Sequence, residues 1–182
     1  KEATKERSAA PRRRPGRPKG SRNKNKADIP LSPELQRVQK MVQSLQRLIA
    51  DALPLTYLVL DGHFGHSPAL QMARQCGLQL ISKLRANAAL YFPYTGSYQG
   101  RGRRRQFGAR VDCRHLPESL LKTTTVEGDI ETRIYQAHLR HHQFDQRLNM
   151  VILLRTNRRT GAWSHVLLFS SDLTLPWDKL VD

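Results

Sequence analysis

Between Thr56 and Leu84 the sequence places a strand, a turn, a short helix and a second strand in one brief stretch. Thr56–Leu60 is an apolar run, continuous enough to sit centrally in a sheet. Asp61–His66 forms the turn. Ser67-Pro68 then starts a helix, with serine as the cap and proline at the first helical position. Ala69–Cys76 is the helix, and Gly77 is the glycine that closes it. Leu78–Leu84 alternates, with Leu78, Leu80 and Ser82 on one face and Gln79, Ile81 and Lys83 on the other. Two strands joined through a helix must run parallel, with a right-handed crossover. This restricts the chain to the α/β class. It also places Asp61 at the carboxyl end of a parallel strand, where ligand and catalytic groups collect in open sheets.

The flanking segments extend this pattern. Residues 33–52 predict an amphipathic helix that begins at Ser32-Pro33 and stops at Pro54. Its apolar stripe is Leu35, Val38, Val42, Leu45 and Ile49, broadened by Met41 and Leu48. Beyond residue 88 the pattern turns to strands. Ala88–Tyr94, Phe107–Cys113, Ile130–Leu139, Met150–Arg155 and His165–Phe169 read as extended, with Thr160-Gly161 turning the last two into a hairpin. An α/β core interrupted by an antiparallel β-rich insertion accounts for this order better than two independent domains. A new helix begins around Pro176.

Charge narrows the partner. The net charge is +16, from 31 Lys+Arg against 15 Asp+Glu, and a compact fold relieves such self-repulsion by binding a polyanion. Nucleic acid is the leading partner; an acidic membrane surface and a merely solubilising basic surface are the alternatives. The head of the chain is almost free of apolar residues. "PRRRPGRPKGSRNKNK" cannot bury a core and is expected to be disordered when free. Its "GRPK" is AT-hook-like, with Pro15 where such a core carries its first arginine. Arg12, Arg13, Arg14, Arg17 and Lys19 are candidate phosphate contacts, against the plain alternative of a solvated linker. No apolar run reaches transmembrane length, so no membrane partner is expected, and the polar start is no signal peptide. Cys76 and Cys113 form no CxxC pair, which argues against a zinc module or disulfide scaffold. Both read as buried, reduced thiols of a cytosolic protein.

Several residues carry possible chemistry. Asp61 either opens a turn or holds a metal at a strand tip, and by itself it favours the turn. Lys83 and Arg85 share a face at the end of the second strand, near the level of Asp61. They either hold a phosphate backbone or are exposed strand-end charges. Arg101, Arg103, Arg104 and Arg105 lie in a glycine-rich loop with Tyr98 and Phe107 nearby, a composition that suits a nucleic-acid groove or a solvated loop. His63 and His66 have ligand-like spacing but no third ligand close in sequence. "HLRHH", 138–142, reads as exposed polar residues. No phosphate-binding glycine loop, GxSxG elbow or HExxH is present.

"YLVLDGHFGHSPALQMARQCGLQLISKLRANAALY" resembles the region around the second catalytic aspartate of DDE-type insertion-sequence transposases. These have a ribonuclease H-like core interrupted by a β-rich insertion. "GRPKGSRNKNK", "YQGRGRRRQFG" and "HVLLFSSDLTL" resemble the same group, in the same order. The resemblance implies an α/β fold: a disordered basic linker at 1–32, a partial ribonuclease H-like core at 33–87, the β-rich insertion at 88–171, and a return to the core at 172–182. It implies that Asp61 is the middle carboxylate of the triad, that Mg²⁺ is the cofactor, and that Lys83 and Arg85 lie next to DNA. The implied partner is double-stranded DNA, both transposon ends and target, bound by a homodimer in the bacterial cytoplasm, associated with the nucleoid. The implied chemistry is two-metal phosphoryl transfer that nicks the transposon end and then joins it to target DNA. The family's first aspartate belongs before Lys1 and its final glutamate beyond Asp182, and Asp172 and Asp178 do not fit the glutamate's signature. The chain alone is therefore expected to be an inactive fragment. A non-enzymatic DNA-binding protein with an AT-hook-like arm is the alternative, and a structural RNA-binding protein is a third reading.

Overall fold

The computed structural model describes residues 30–49, 52–98, 100 and 102–181. The predicted basic arm, with Arg12, Arg13, Arg14, Arg17 and Lys19, and the loop residue Arg101 lie outside the described residues.

Among the described residues eight strands form one mixed sheet: β1 (Tyr57–Val59), β2 (Gln79–Leu84), β3 (Leu90–Pro93), β4 (Phe107–Arg110), β5 (Leu121–Glu127), β6 (Ile130–His141), β7 (Arg147–Asn157) and β8 (Trp163–Ser170). Their spatial order is β1-β2-β8-β7-β6-β3-β4. β5 pairs with the first half of β6, and β3 with its end. The helices are α1 (Pro33–Ile49), α2 (Ser67–Gln75) and a short α3 (Asp178–Val181). β1 and β2 are parallel, as the crossover through α2 requires, and all other pairings are antiparallel. Because β8 pairs with β2, the β-α-β unit and the antiparallel strands share one continuous sheet.

β7 explains why this sheet is stable. Leu148 to Leu154 is buried on both faces, which is why that stretch reads as an unbroken apolar run. On one face Met150, Ile152, Leu167 and Phe169 pack with Leu70, Met72 and Ala73 of α2. On the other, Ile134, Val151 and Leu153 pack with Leu175 and Leu180 of the C-terminal segment. Gly77 closes α2 with φ 71°, a conformation that glycine adopts without strain.

Four expectations are corrected. The apolar strand Thr56–Leu60 does not sit centrally: β1 is at the end of the sheet order, with Tyr57 36% and Val59 69% exposed. Its composition is that of a buried strand, but its position is set by long-range pairing. The cap of α2 is His66, whose Nδ1 accepts from the Ala69 N–H, so Ser67 is already helical. The stripe of α1 is only partly used: Leu35 and Val42 are buried, whereas Met41, Leu45 and Leu48 face outward. Finally, Cys76 is buried but Cys113 is only half-buried; both are free.

Asn149 ties the C-terminal segment to the sheet. It is fully buried, and its Nδ2 donates to the carbonyls of Leu175 (2.7 Å) and Asp172 (3.0 Å). Its Oδ1 accepts from Gln136 Nε2 at 3.0 Å. Asn149→Leu removes the two donated bonds and the Oδ1 acceptor, and puts an apolar side chain of similar size in their place. It is expected to cost about 2 kcal/mol in urea unfolding and to raise hydrogen exchange selectively across residues 172–181.

Asp172 also joins this segment to β1, accepting from the Tyr57 hydroxyl at 2.7 Å and from the N–H and Oγ1 of Thr174. The Tyr57 hydrogen bond, followed by those from Thr174, holds the Asp172 carboxyl below its ordinary value of 3.8. The folded state therefore gains stability from this carboxylate above pH 3.8, and loses it as pH falls toward the lower folded-state value. Tyr57→Phe is expected to lower stability at neutral pH by about 1 kcal/mol and to flatten the acid limb of a pH–stability curve.

Candidate functional site: the Asp61 turn

Leu60 continues the line of β1, donating its N–H to the Ile81 carbonyl at 2.9 Å. Asp61 follows in extended conformation, φ −67° and ψ 175°. Its backbone carbonyl accepts from Ser82 Oγ at 2.7 Å and from the Phe64 N–H at 3.1 Å. Its side-chain Oδ1 accepts from the His63 N–H at 2.8 Å. The turn is one 3-10 turn, Gly62–Phe64, capped by Asp61 itself. Turn cap and strand-tip carboxylate are thus the same residue. The side chain is held by a backbone donor yet remains exposed, the condition for a pre-positioned ligand.

The turn lies directly against β2. A Cβ at Gly65 would overlap the Lys83 carbonyl oxygen, and one at Gly62 would come within 2.8 Å of Lys83 Cγ. At Gly65, where the neighbour is backbone, only glycine allows this approach. The Lys83 side chain therefore lies across Gly62, next to Asp61, although no ion pair joins Lys83 to Asp61. Arg85, just past the end of β2, is exposed and makes no ion pair among the described residues. His63 Nε2 stands 3.5 Å from Glu34 of α1.

A cleft of about 430 Å³ opens beside the turn. It is lined by His63, His66, Arg85, Asn87, His141 and Gln143. His66 and His141 are both held below the ordinary imidazole value, chiefly by burial, with a neighbouring histidine adding to the effect. His66 lies in the turn and His141 at the end of β6. Of the "HLRHH" histidines, His138 and His142 are exposed as expected, and His141 departs from the expectation. His141 is half-buried, His142 stacks on Phe107 with centroids 4.2 Å apart, and His138 Nε2 is 2.8 Å from the Leu173 carbonyl oxygen. Sequence reasoning missed His141 and Gln143. Strand parity was the available signal, because His141 shares its face with the buried Tyr135 and Leu139.

Arg103, Arg104 and Arg105 are exposed in the loop between β3 and β4. Arg105 packs over the Tyr94 ring at 4.8 Å, and its Nε donates to the Phe107 carbonyl at 2.8 Å. In the sheet, β8, β7, β6 and β3 separate β4 from β2, so this basic loop and the Asp61 turn belong to different ends of the strand order.

No group of three His, Cys, Asp or Glu is placed to hold a metal among the described residues. Asp61 alone does not complete a metal site. Among the described residues, no helix is long and apolar enough to cross a membrane.

A family model for DDE superfamily endonucleases matches residues 1–147, which include the Asp61 turn and the sheet as far as the start of β7. No curated protein and no solved structure matches the chain. The family implies a DNA substrate and a nuclease of transposase type, and its members generally use divalent metal ions. With most of the chain matched, this protein belongs to the DDE superfamily endonucleases.

Proposed function

We propose that this chain carries the central part of a DNA transposase catalytic domain, with Asp61 as the middle carboxylate of the triad. The observation that carries this reading is the placement of Asp61. It is an exposed carboxylate, held by the His63 N–H, at the carboxyl end of a parallel strand within the matched region. Carboxylate oxygens are the ligands that Mg²⁺ prefers. The other carboxylates needed lie outside the described residues, so the described part by itself is not expected to cleave DNA. Lys83 and Arg85, beside the turn and without an ion pair among the described residues, would neutralise a DNA backbone there.

In this reading residues 33–87 are the ribonuclease H-like core, 88–171 the β-rich insertion, and 172–182 the return to the core. The parallel β1–β2 pair with α2 supports the first assignment. The antiparallel strands from β3 to β8 support the second. The packing of Leu175, Trp177 and Leu180 with Ile81 supports the third.

The test is whether divalent cations strengthen DNA binding through Asp61. Ca²⁺ serves as the probe, because it takes the same oxygen ligands. Ca²⁺ is expected to tighten duplex binding by the wild-type chain and to leave Asp61→Asn unaffected. Equal tightening in both proteins, or none in either, would contradict the proposal.

A further inference from the structure

We propose that the cleft between the Asp61 turn and the β6–β7 turn is a subsite that seats one phosphodiester of a DNA strand. Arg85 supplies the charge, and His66, His141, Asn87 and Gln143 supply hydrogen bonds. The inference rests on the reading of Asp61 above and deepens its Arg85 contact into a built site, by adding His66, His141, Asn87 and Gln143, which that reading does not use.

The first observation is the charge balance of the cleft. An arginine, three histidines and two carboxamides line it, and no carboxylate does. Arg85 has no acidic partner among the described residues, so its charge is available to a ligand. A guanidinium with free N–H groups suits a phosphate, which only accepts hydrogen bonds.

The second observation is the tautomer of two rings. His66 Nδ1 accepts from the Ala69 N–H at 3.2 Å, and His141 Nδ1 accepts from the Gln143 N–H at 3.3 Å. With Nδ1 occupied as an acceptor, the hydrogen of each neutral ring lies on Nε2. Both rings therefore offer a donor without needing to be charged. Asn87 and Gln143 are exposed and add amide donors.

The third observation is position and size. Gly62, Gly65, Ala88 and Ala89 form part of the wall, so small residues leave the space open. The volume of about 430 Å³ falls within the range of about 300–1,000 Å³ typical of small-ligand pockets. It suits a nucleotide-sized piece of a strand. The Asp61 carboxylate stands on the neighbouring residue of Gly62, outside the cleft lining, so the bound phosphate and the metal-binding carboxylate lie side by side without sharing a pocket. The net charge of +16 favours a polyanion over a single small anion.

The experiment measures binding of a fluorescent mixed-sequence duplex to the full chain across a salt series. Three variants are compared: Arg85→Gln, Asn87→Ala with Gln143→Ala, and Arg159→Gln. Arg159 lies in the β7–β8 hairpin, paired with Asp129 at 3.7 Å, and controls for loss of one positive charge anywhere. Arg85→Gln is expected to weaken binding about tenfold and to reduce the salt slope by about one. The amide double variant is expected to weaken binding with the slope unchanged, and Arg159→Gln is expected to behave as wild type. The subsite is overturned if Arg85→Gln matches wild type, or if it loses no more than Arg159→Gln. It is also overturned if the amide double variant binds DNA as wild type does, because Arg85 would then act as a lone surface charge rather than as part of a built cleft. Failure of the subsite leaves the Ca²⁺ effect at Asp61 intact. Failure of the Asp61 reading removes the Ca²⁺ effect and leaves the Arg85 difference in place.

Discussion

Asp61→Asn is expected to lower metal-dependent DNA cleavage by the assembled endonuclease about 1,000-fold, equivalent to about 4 kcal/mol of barrier. The change is nearly isosteric, and the backbone carbonyl of Asp61 keeps its bonds from Ser82 Oγ and the Phe64 N–H. The side-chain amide oxygen can still accept from the His63 N–H. The turn should therefore stay folded while the anionic ligand is lost. A nicking assay on supercoiled DNA, together with urea unfolding, separates the two effects. A large fall in stability would show that Asp61 matters mainly as a turn cap.

Gly65→Ala is expected to destabilise the chain by about 3 kcal/mol, an overpacking cost at a site that cannot relax. The backbone at Gly65, φ −71° and ψ 52°, lies on the negative side that alanine accepts, so the cost is steric. The added methyl would meet the Lys83 carbonyl oxygen, which is backbone, and would lie 3.3 Å from the Gly62 carbonyl oxygen. The turn would have to lift off β2, carrying Asp61 with it. Gly62→Ala provides the contrast. Its methyl would meet the flexible side chain of Lys83, which can swing aside, so a loss of about 1 kcal/mol or less is expected. Urea unfolding of the two variants checks the difference. Equal losses would mean that the Gly65 contact does not hold the turn against the strand.

The β-α-β unit was legible because its signals are local. The apolar run, the Ser67-Pro68 helix start and Gly77 all lie within a few residues of the features they set. The Asp61 strand tip followed from that unit, and the parallel pairing of β1 with β2 bears the expectation out. β5 was missed because "LKTTTVE" lacks an apolar face: most of its residues are exposed, and it is held by backbone pairing to β6. The edge position of β1 was missed because neighbours in a sheet are chosen by distant chain segments. The cleft was only partly legible. Arg85 stands out as a charge near Asp61, but His141 and Gln143 reach it from some sixty residues further along the chain, through the pairing of β3 with β6. The membership in the DDE endonucleases was legible from the order of several segments, none of which decides it alone.

Paramagnetic broadening by Mn²⁺ in amide NMR spectra of the chain reports whether Asp61 holds a divalent metal. Mn²⁺ replaces Mg²⁺ at carboxylate sites. Broadening is expected to centre on Asp61, Gly62 and His63, to reach Lys83 across the turn, and to be lost in Asp61→Asn. Broadening centred elsewhere, or unchanged in Asp61→Asn, would contradict the assignment of Asp61 as a metal-binding carboxylate.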